Sequence, residues 1–371
     1  MSERISRVEA IPARVGFRSE FRIGRGTVGT AGGTGEHVFV RVETDAGRVG
    51  WGETRALPSW SYETVEAIVA AIRNYFGPRL VGLDPFQLLT AHRRMYEALT
   101  PSVSNGQPFA RSAIDIALHD LMGQIAGVPL HALLGGKLRE SVDLTFAISI
   151  ADPETMAAAA ASFPFCRCFK VKLAGDEQDA ARIRAVSAAV PGAALWLDAN
   201  QSYAPARAAA LLREVRDVPR VFCLEQPVRS IDWFGMQQVR ERGELPLAID
   251  EGAFSSFDVA RMAALRCADL MVLKVCKSGG LRDCLRSAAV AEAYGIGLLG
   301  SGLTEAGIGL AASVHLFATL ETLLPPELNG PEFLEDLLVE GLAVDGATVR
   351  VPDAPGLGVQ VNEEKIRSHA F

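Results

Sequence analysis

Three acidic residues follow one another at a nearly constant spacing, each at the end of a short apolar run. Asp198 ends ALWLD, Glu225 ends VFCLE and Asp250 ends LAID, at intervals of 27 and 25 residues. If these runs are successive parallel strands, the three carboxylates meet at one end of the sheet and repel one another. A hard divalent cation relieves that repulsion, and Mg²⁺ prefers oxygen ligands. The spacing therefore predicts a metal site on these three residues.

Lysines stand before and after the acidic trio. In CFKVKL the side chains alternate between two faces, so Lys170 and Lys172 share one face of a strand. Lys274 ends the run LMVLK. If the strands close into a ring of eight, as the spacing discussed below predicts, the strands of Lys172 and Lys274 are four positions apart and lie on opposite sides of the ring. A substrate between these two amines is suited to proton transfer at a carbon beside a carboxylate.

The elements that would position these residues are short strands alternating with helices. From about residue 142 onward, short apolar runs alternate with Ala-, Arg- and Glu-rich helical patterns, which is typical of parallel βαβ units. Successive polar strand ends, from Lys172 to Lys274, are 26, 27, 25 and 24 residues apart, about one strand, one helix and two loops. The pattern predicts an α/β fold with a TIM-type barrel, whose site lies at the carboxyl ends of the strands. The eight candidate strands are 142–150, 168–173, 194–200, 221–227, 247–251, 270–275, 296–302 and 322–330.

The first 130 residues have a different pattern. HVFVRVETDAGRVGWGET (37–54) alternates on both sides of Asp45-Ala46-Gly47 and predicts an antiparallel hairpin. Helical patterns follow near 62–77, 85–98 and 109–126. We expect an α+β domain over 1–130, a barrel over 131–344, and a tail (about 345–371) that packs back on the first domain.

Taken together, the segments KVK, LDAN, LEQP, IDE and LKVCKSGG, with PGLGV near the end, resemble the enolase superfamily, and most closely its muconate lactonizing subgroup. The resemblance covers nearly the whole chain. It implies a (β/α)7β barrel with a capping domain built from the amino terminus and the tail. It implies one Mg²⁺ or Mn²⁺ on Asp198, Glu225 and Asp250, and Lys172 and Lys274 as the acid/base pair. Lys170 would support the substrate carboxylate.

Two glutamates and one asparagine extend this comparison. Glu327 in PPELNGP matches a glutamate that faces the site in muconate cycloisomerases, and Glu305 in GLTEAGIG also matches a family glutamate. Asn200, in LDAN, is a further candidate for substrate binding. Dipeptide epimerases, in contrast, carry Asp-x-Asp on the last strand, where this chain has Glu327 and Asn329.

The residues leave several reactions open. The first is a cycloisomerase of the muconate type acting on a dicarboxylate. The alternative is a racemase or epimerase of N-acyl amino acids or dipeptides, in which the two lysines act in turn. A Schiff-base aldolase is a third possibility, but it leaves the three carboxylates unexplained. The late histidine base of mandelate racemases is missing, because GLLGSG contains none.

A glycine-rich segment precedes the hairpin. GRGTVG (24–29) matches GxGxxG, but no strand–helix unit surrounds it, so a dinucleotide site is disfavoured. We expect a mobile lid, because long glycine-rich loops often close over active sites. Pocket-wall candidates are Phe17, Arg25, Trp60 and Tyr62.

Composition limits the choice of partners. The net charge is −7 and no basic run occurs, which argues against nucleic acid. No apolar run approaches about 18 residues, the length of a membrane span. The six cysteines form no CxxC pair, which indicates reduced thiols and a cytoplasmic protein. We expect a small carboxylate substrate and a homo-oligomer, as the resemblance implies.

Overall fold

The amino-terminal part of the protein is an antiparallel sheet covered by helices. The structure is a computed structural model that describes residues 3–102 and 104–371. β1, β4 and β5 form a three-stranded sheet in that order, and β2 and β3 form a separate hairpin. The predicted turn at Asp45–Gly47 joins β4 to β5, with Gly47 at a φ of 79°. The elements are β1 (Ile5–Gly16), β2 (Phe21–Ile23), β3 (Gly26–Gly29), β4 (Thr34–Thr44), β5 (Val49–Arg55), α1 (Val65–Ala70), a π-helical turn (Ala71–Phe76), α2 (Gly77–Leu80), α3 (Leu88–Ala98), α4 (Pro108–Ala126) and α5 (Leu130–Leu133).

The helix α4 lies directly against β5. A Cβ added at Gly52 would stand 1.8 Å from the carbonyl oxygen of Ala113, so only glycine permits this close approach. α4 ends at Gly127, which adopts the left-handed conformation with a φ of 70°. Gly52 therefore permits the close packing of α4 on β5, and Gly127 ends the helix.

Seven parallel strands make up the second part. They lie in the order β13-β12-β11-β10-β9-β8-β7, so consecutive strands are neighbours throughout. A helix joins most successive strands, as the alternating pattern predicted. The elements are β6 (Ser141–Asp143), β7 (Phe146–Ile148), α6 (Pro153–Ala161), β8 (Cys168–Lys172), α7 (Asp179–Ala189), β9 (Ala194–Asp198), α8 (Pro205–Glu214), β10 (Val221–Glu225), α9 (Trp233–Arg242), β11 (Leu247–Ile249), α10 (Ser256–Leu265), β12 (Leu270–Leu273), α11 (Val275–Ser278), α12 (Leu281–Ala293), β13 (Gly297–Gly300) and α13 (Gly307–Thr319).

The ends of the predicted barrel differ from expectation. The run 142–150 is divided, because β6 pairs with a strand of the tail and only β7 joins the parallel sheet. The run 322–330 is not a strand of this sheet and has a single parallel bridge, between Ser301 and Glu327. Pro325 and Pro326 have no N–H to donate, so a regular ladder cannot form there. The complete eight-stranded barrel is therefore not confirmed.

The carboxyl-terminal tail returns to both parts of the molecule. β16 pairs with β6, and Leu357 donates its N–H to Asp120 of α4 at 2.9 Å. Ala370 forms an isolated bridge with Ala13 of β1. None of the helices in the described part of the chain is long and apolar enough to cross a membrane. The tail elements are α14 (Gly330–Phe333), β14 (Val339–Glu340), β15 (Val344–Asp345), β16 (Thr348–Arg350), β17 (Gln360–Val361) and α15 (Glu363–Ser368).

Candidate active site

One face of the parallel sheet carries an apolar layer with a polar layer above it. The apolar layer is a separate buried cluster: Cys168, Trp196, Cys223, Ala248, Leu270, Val272 and Leu299. Side chains two residues apart on a strand share a face. Two residues beyond members of this cluster stand the polar residues Lys170, Asp198, Glu225, Asp250, Lys274 and Ser301. The strand pattern thus brings the predicted catalytic and metal-binding residues to one end of one face.

The register of the strands aligns these residues across the sheet. Lys172 pairs with Asp198, and Asp198 pairs with Glu225 on the next strand. On the far side, Ser301 pairs with Glu327. The side chains at these positions are buried, which explains why they form a dense ionic network.

Lys170 lies at the centre of that network. Its Nζ is 3.0 Å from Glu225 Oε2, 3.1 Å from Asp198 Oδ2 and 3.5 Å from Glu327 Oε2, and the side chain has no exposed surface. It also lies 4.3 Å from the ring centre of Trp196, which adds a cation–π contact. Burial lowers the pKa of Lys170, but the surrounding carboxylates raise it well above its usual value. Lys170 is therefore a permanent cation among the acids.

The other two predicted lysines are paired with different carboxylates. Lys172 Nζ is 2.6 Å from Asp198 Oδ2. Lys274 Nζ is 3.1 Å from Asp250 Oδ2, donates to the carbonyl of Gly302 at 3.0 Å, and lies 4.7 Å from the ring centre of Trp60. Burial lowers the pKa of Lys274, but the field of Asp250 and more distant acids raises it above its usual value. In the absence of a cation the acids thus keep Lys274 protonated.

Burial opposes the ionisation of the acidic residues in this cluster, and their pKa values are shifted as a result. Burial and the neighbouring Asp198 and Asp250 raise the pKa of Glu225 well above its usual range. Burial also opposes ionisation of Asp198, but Lys170 and Lys172 overcome it and lower its pKa to about 2. The cluster is therefore short of positive charge at Glu225.

The donor set fits a hard divalent cation. Oxygens of Glu225, Asp250 and Glu251 lie within 4.8 Å of one another, and all three residues are buried. Within the described residues, Glu251 Oε2 has no hydrogen-bond partner, and Glu225 Oε2 and Asp250 Oδ2 have only ammonium groups nearby. Buried carboxylate oxygens without donors are what Mg²⁺ would satisfy. Asp198 is not in this group; the ammonium groups of Lys170 and Lys172 lie 3.1 and 2.6 Å from its Oδ2.

Two residues of the site were missed at the sequence level. Lys277 Nζ contacts Asp250 twice, at 2.6 Å to Oδ1 and 2.7 Å to the backbone oxygen. Glu251 accepts a hydrogen bond from Asn200 Nδ2 at 3.1 Å, and burial raises its pKa to about 7. Both stand in quoted segments, LKVCKSGG and IDE. Each segment has a second charged residue just after the strand end, and that residue was the available signal in the sequence.

A narrow pocket lies over the lysines. It is lined by Lys172, Lys274, Asn200, Glu327 and Asn329 together with Gly302, Leu303 and Thr304. Its other wall is apolar and comes from the amino-terminal part: Phe21, Ile23, Val28, Leu57 and Trp60. The glycine-rich segment that we predicted as a lid lies in the β2–β3 hairpin, and Trp60 lies in the pocket lining.

Arg55 joins this wall to the parallel sheet. Its Nη1 donates to the carbonyl of Leu303 at 3.0 Å and its Nη2 to that of Val28 at 2.9 Å. Leu303 and Val28 both line the pocket. Burial lowers the pKa of Arg55 to about 10, so it stays charged at neutral pH.

Three of the predicted wall residues, and the predicted substrate-binding residue Glu305, lie outside the pocket lining. Arg25 is exposed and donates to the carbonyl of Ser59 at 3.3 Å. Tyr62 is half exposed and stacks on Phe254 with ring centres 6.0 Å apart. Phe17 is buried beneath the guanidinium of Arg55. Glu305 is buried and accepts the N–H of Leu303 at 2.7 Å, so it shapes the loop rather than lining the pocket.

Glu327 is held by three neighbours. Ser301 Oγ donates to its Oε2 at 2.5 Å, Asn329 Nδ2 donates to its Oε1 at 2.6 Å, and Lys170 lies 3.5 Å away. Both oxygens are therefore occupied. Asn329 shares this corner of the pocket.

Comparisons with known proteins agree with this architecture. The sequence model of the mandelate racemase / muconate lactonizing enzyme N-terminal domain matches residues 8–135. The sequence model of the enolase C-terminal domain-like proteins matches residues 154–365. Together they cover most of the chain.

Individual relatives have two kinds of activity. The chain is 32% identical over 343 residues to the chloromuconate cycloisomerase of Cupriavidus necator, covering 90% of this chain and 91% of the relative. The crystal structure of the N-succinyl Arg/Lys racemase from Bacillus cereus superposes with a TM-score of 0.93 at 30% identity, covering 99% and 98% of the two chains. The dipeptide epimerase from Enterococcus faecalis, solved with Mg and the dipeptide L-Leu-L-Tyr, gives a TM-score of 0.89 at 29% identity, covering 96% and 99%.

Proposed function

Because the chain belongs to the mandelate racemase/muconate lactonizing enzyme family of the enolase superfamily, we propose that it is a metal-dependent racemase or epimerase of an amino-acid derivative. One observation carries this proposal. Lys172 is the last residue of β8, and Lys274 directly follows β12. Both lysines line the same pocket. Racemisation needs one base and one acid on opposite faces of a carbon, and two lysines supply both.

The proposed roles follow from the contacts. One lysine removes the proton from the carbon beside the substrate carboxylate, and the other returns a proton from the opposite face. Lys170, buried and permanently charged, stabilises the negative charge that the carboxylate gains in the enediolate. The apolar wall with Trp60 excludes water from the reacting carbon.

Asp198, Glu225 and Asp250 would hold the cation, and Glu251 lies close enough to support or replace one of them. A bound Mg²⁺ would supply positive charge that stabilises an enediolate. Positive charge on Asp250 would also weaken its hold on the proton of Lys274. The two strand-end pairs, Lys172–Asp198 and Lys274–Asp250, would then release the amines toward the substrate.

Cycloisomerisation of a dicarboxylate is the second candidate. It is supported by the chloromuconate cycloisomerase relative and by Glu327, which occupies the position expected from muconate cycloisomerases. In that reaction one lysine would protonate the enolate carbon after the second carboxylate adds to the double bond. Beyond the lysines, however, the described pocket lining contains no further cation for a second carboxylate.

Incubation in heavy water separates the two candidates. With Mg²⁺ and N-acyl amino acids or dipeptides, a racemase exchanges the α-hydrogen of both enantiomers for deuterium. A cycloisomerase instead converts a muconate to a lactone with one deuterium gained. Lactone formation without exchange of any amino-acid derivative would overturn the first candidate in favour of the second.

We also propose that residues 131–344 are the catalytic unit and that residues 1–130 with 345–371 cap it. Support comes from the pocket, whose lysines come from the first range and whose apolar wall comes from the second. The segment 323–327 is proposed to complete the barrel. It is hydrogen-bonded on one side, Glu327 N–H to Gly300 O, and on the other, Thr145 N–H to Pro326 O, each at 2.9 Å.

A further inference from the structure

A second cavity, of about 290 Å³, lies between the amino-terminal part and the helices that follow the parallel strands. It shares no lining residue with the pocket over the lysines. One side of its lining comes from α3, α4 and the segment between them. The other side comes from α10, α11, α12 and the residues just before α10. Its volume is near the lower end of the range of roughly 300–1,000 Å³ typical of ligand sites, so a ligand here would be small.

Arg111 places an almost completely buried positive charge in this lining. The residue is 3% exposed, and its guanidinium lies 4.6 Å from the ring centre of Tyr96, which also lines the cavity. Among the residues that the structure describes, Arg111 forms no salt bridge. Its Nη1 donates to the carbonyl of Asn105 at 3.0 Å, and its Nε has no partner within the same residues. The guanidinium thus has a single described acceptor.

The two other buried arginines of the described chain are better satisfied. Arg55 donates to a carbonyl from each of its outer nitrogens, at 3.0 and 2.9 Å. Arg182 pairs with Asp176 and Asp179 at 2.6 and 2.7 Å. A buried cation without enough acceptors is costly, so an anion that reaches Arg111 gains affinity.

The acid in the lining, Asp283, is already engaged by other groups. Arg282 and Arg286 lie 2.9 and 3.3 Å from its Oδ1, and the hydroxyl of Tyr96 donates to its Oδ2 at 2.6 Å. Two guanidinium groups therefore neutralise this carboxylate, and the charge of Arg111 is left over. The cavity is suited to an anion rather than a cation.

The remaining walls favour an apolar body on that anion. Phe254 is buried, and Phe257 and Pro101 also line the cavity. Phe254 stacks on Trp60 with ring centres 5.9 Å apart, so these two rings stand between the cavity and the pocket over the lysines. A flat apolar molecule would contact Phe254 on the side away from the lysines.

We propose that this cavity binds a small carboxylate with an aromatic or similarly apolar body, whose oxygens accept hydrogen bonds from the outer nitrogens of Arg111. A planar guanidinium and a carboxylate are matched in charge and geometry. The proposal is independent of the proposed reaction, because the two sites have no lining residue in common.

Benzoate and benzamide test the site, because they have nearly the same shape and differ in charge. We expect calorimetric titration of the wild-type protein to give one benzoate site per chain, with at least about tenfold tighter binding than benzamide. The affinity should be the same with and without Mg²⁺. Binding through a cation at the acid cluster would instead require the metal.

Variants locate the binding. Arg111→Met should lower benzoate affinity to that of benzamide, whereas Arg73→Met, which removes an arginine outside both linings, should leave it unchanged. Lys172→Met removes a cation from the other pocket and should also leave it unchanged. Ser256→Phe places a ring in the cavity from the first residue of α10 and should weaken both ligands.

The inference is overturned by equal binding of benzoate and benzamide, by binding of neither, or by a requirement for Mg²⁺. It is also overturned if benzoate affinity falls in K172M but not in R111M. If R111M does not fold, S256F and the comparison of the two ligands in the wild type decide. None of these outcomes bears on the isomerase reaction, which hydrogen exchange tests separately.

Discussion

Lys172 and Asp198 are register partners on neighbouring parallel strands, and the Lys172 ammonium lies 2.6 Å from Asp198 Oδ2. A proposed acid/base group is thus paired with a proposed metal ligand. An ammonium and a dication cannot both neutralise the same oxygen at full strength. The two therefore compete for Asp198.

Removing Lys172 should consequently strengthen metal binding. In Lys172→Met we expect Mg²⁺ affinity to rise by roughly tenfold, because a positive charge next to the ligand oxygen is removed. Calorimetric titration of metal-free protein with Mg²⁺ measures this. Lys137→Met is the control, since Lys137 pairs with Glu140 and Asp353 instead. Weaker binding in K172M would show that Lys172 positions Asp198 rather than competing for it.

The ligand set can be decided by two amide variants. The spacing predicts Asp198 as the third ligand, whereas in the structure the oxygens that lie within 4.8 Å of one another belong to Glu225, Asp250 and Glu251. Loss of a direct ligand in Asp198→Asn should lower Mg²⁺ affinity by more than about 100-fold, and Glu251→Gln, acting from outside, by about tenfold. The same titration compares them. If the two effects are reversed, Glu251 is the ligand and Asp198 is the partner of the lysines.

Arg55 is expected to hold the pocket closed. Arg55→Met leaves the buried carbonyls of Val28 and Leu303 without donors, at a cost of about 1–3 kcal/mol each. We expect KM to rise more than kcat falls, because the wall loosens while the lysines remain. Steady-state kinetics and denaturant unfolding measure the two effects.

A matched arginine controls for stability alone. Arg73 donates to the carbonyl of Ala10 at 2.9 Å, outside the pocket lining. Arg73→Met should lower stability without changing KM. If R55M and R73M have the same kinetics, Arg55 contributes only to folding.

Much of the site was predictable because strand periodicity is strict. The parity of Lys170 and Lys172 placed them on one face of their strand, and the constant spacing placed Asp198 at the end of the next strand. What the sequence could not give is the side-chain pairing. Lys277 and Glu251 lie beyond the strand ends, where no period indicates the direction of a side chain.

The wall residues show the same limit. Trp60 was predicted from its loop, and the structure puts it over Lys274. Arg25 came from the same reasoning but points to the carbonyl of Ser59. The eighth strand is not confirmed, since Pro325 and Pro326 interrupt the run and leave a single parallel bridge. Tertiary contacts of loops and proline effects at a barrel seam are not encoded in hydrophobic periodicity.

Glu63 predicts a pH dependence of stability. It accepts the N–H of Phe109 at 3.0 Å and that of Ala110 at 3.4 Å at the start of α4, and burial raises its pKa to about 7. In the unfolded chain the pKa is about 4.3. The folded protein thus binds this proton more tightly, and the resulting stability, about 4 kcal/mol, is present below the unfolded pKa and lost as the pH rises through about 7.

Glu63→Gln tests that dependence. Between pH 5 and 8 the unfolding free energy of the variant should decrease less than that of the wild type, because this carboxyl no longer titrates. Denaturant titration at each pH measures the difference. Glu66 is an exposed residue three positions along, and its pKa lies below the usual value. Glu66→Gln should therefore keep the wild-type pH profile. A wild-type profile in E63Q would contradict the assignment.

The central claim is that two lysines work on one carbon from opposite faces. The most direct test is α-hydrogen exchange in heavy water, followed by proton NMR, for each enantiomer of an N-acyl amino acid with Lys172→Ala and Lys274→Ala. We predict that both variants lose racemisation, and that each still exchanges one enantiomer only, the opposite one in the two variants. Retained racemisation in either variant, or exchange of the same enantiomer in both, would contradict the account.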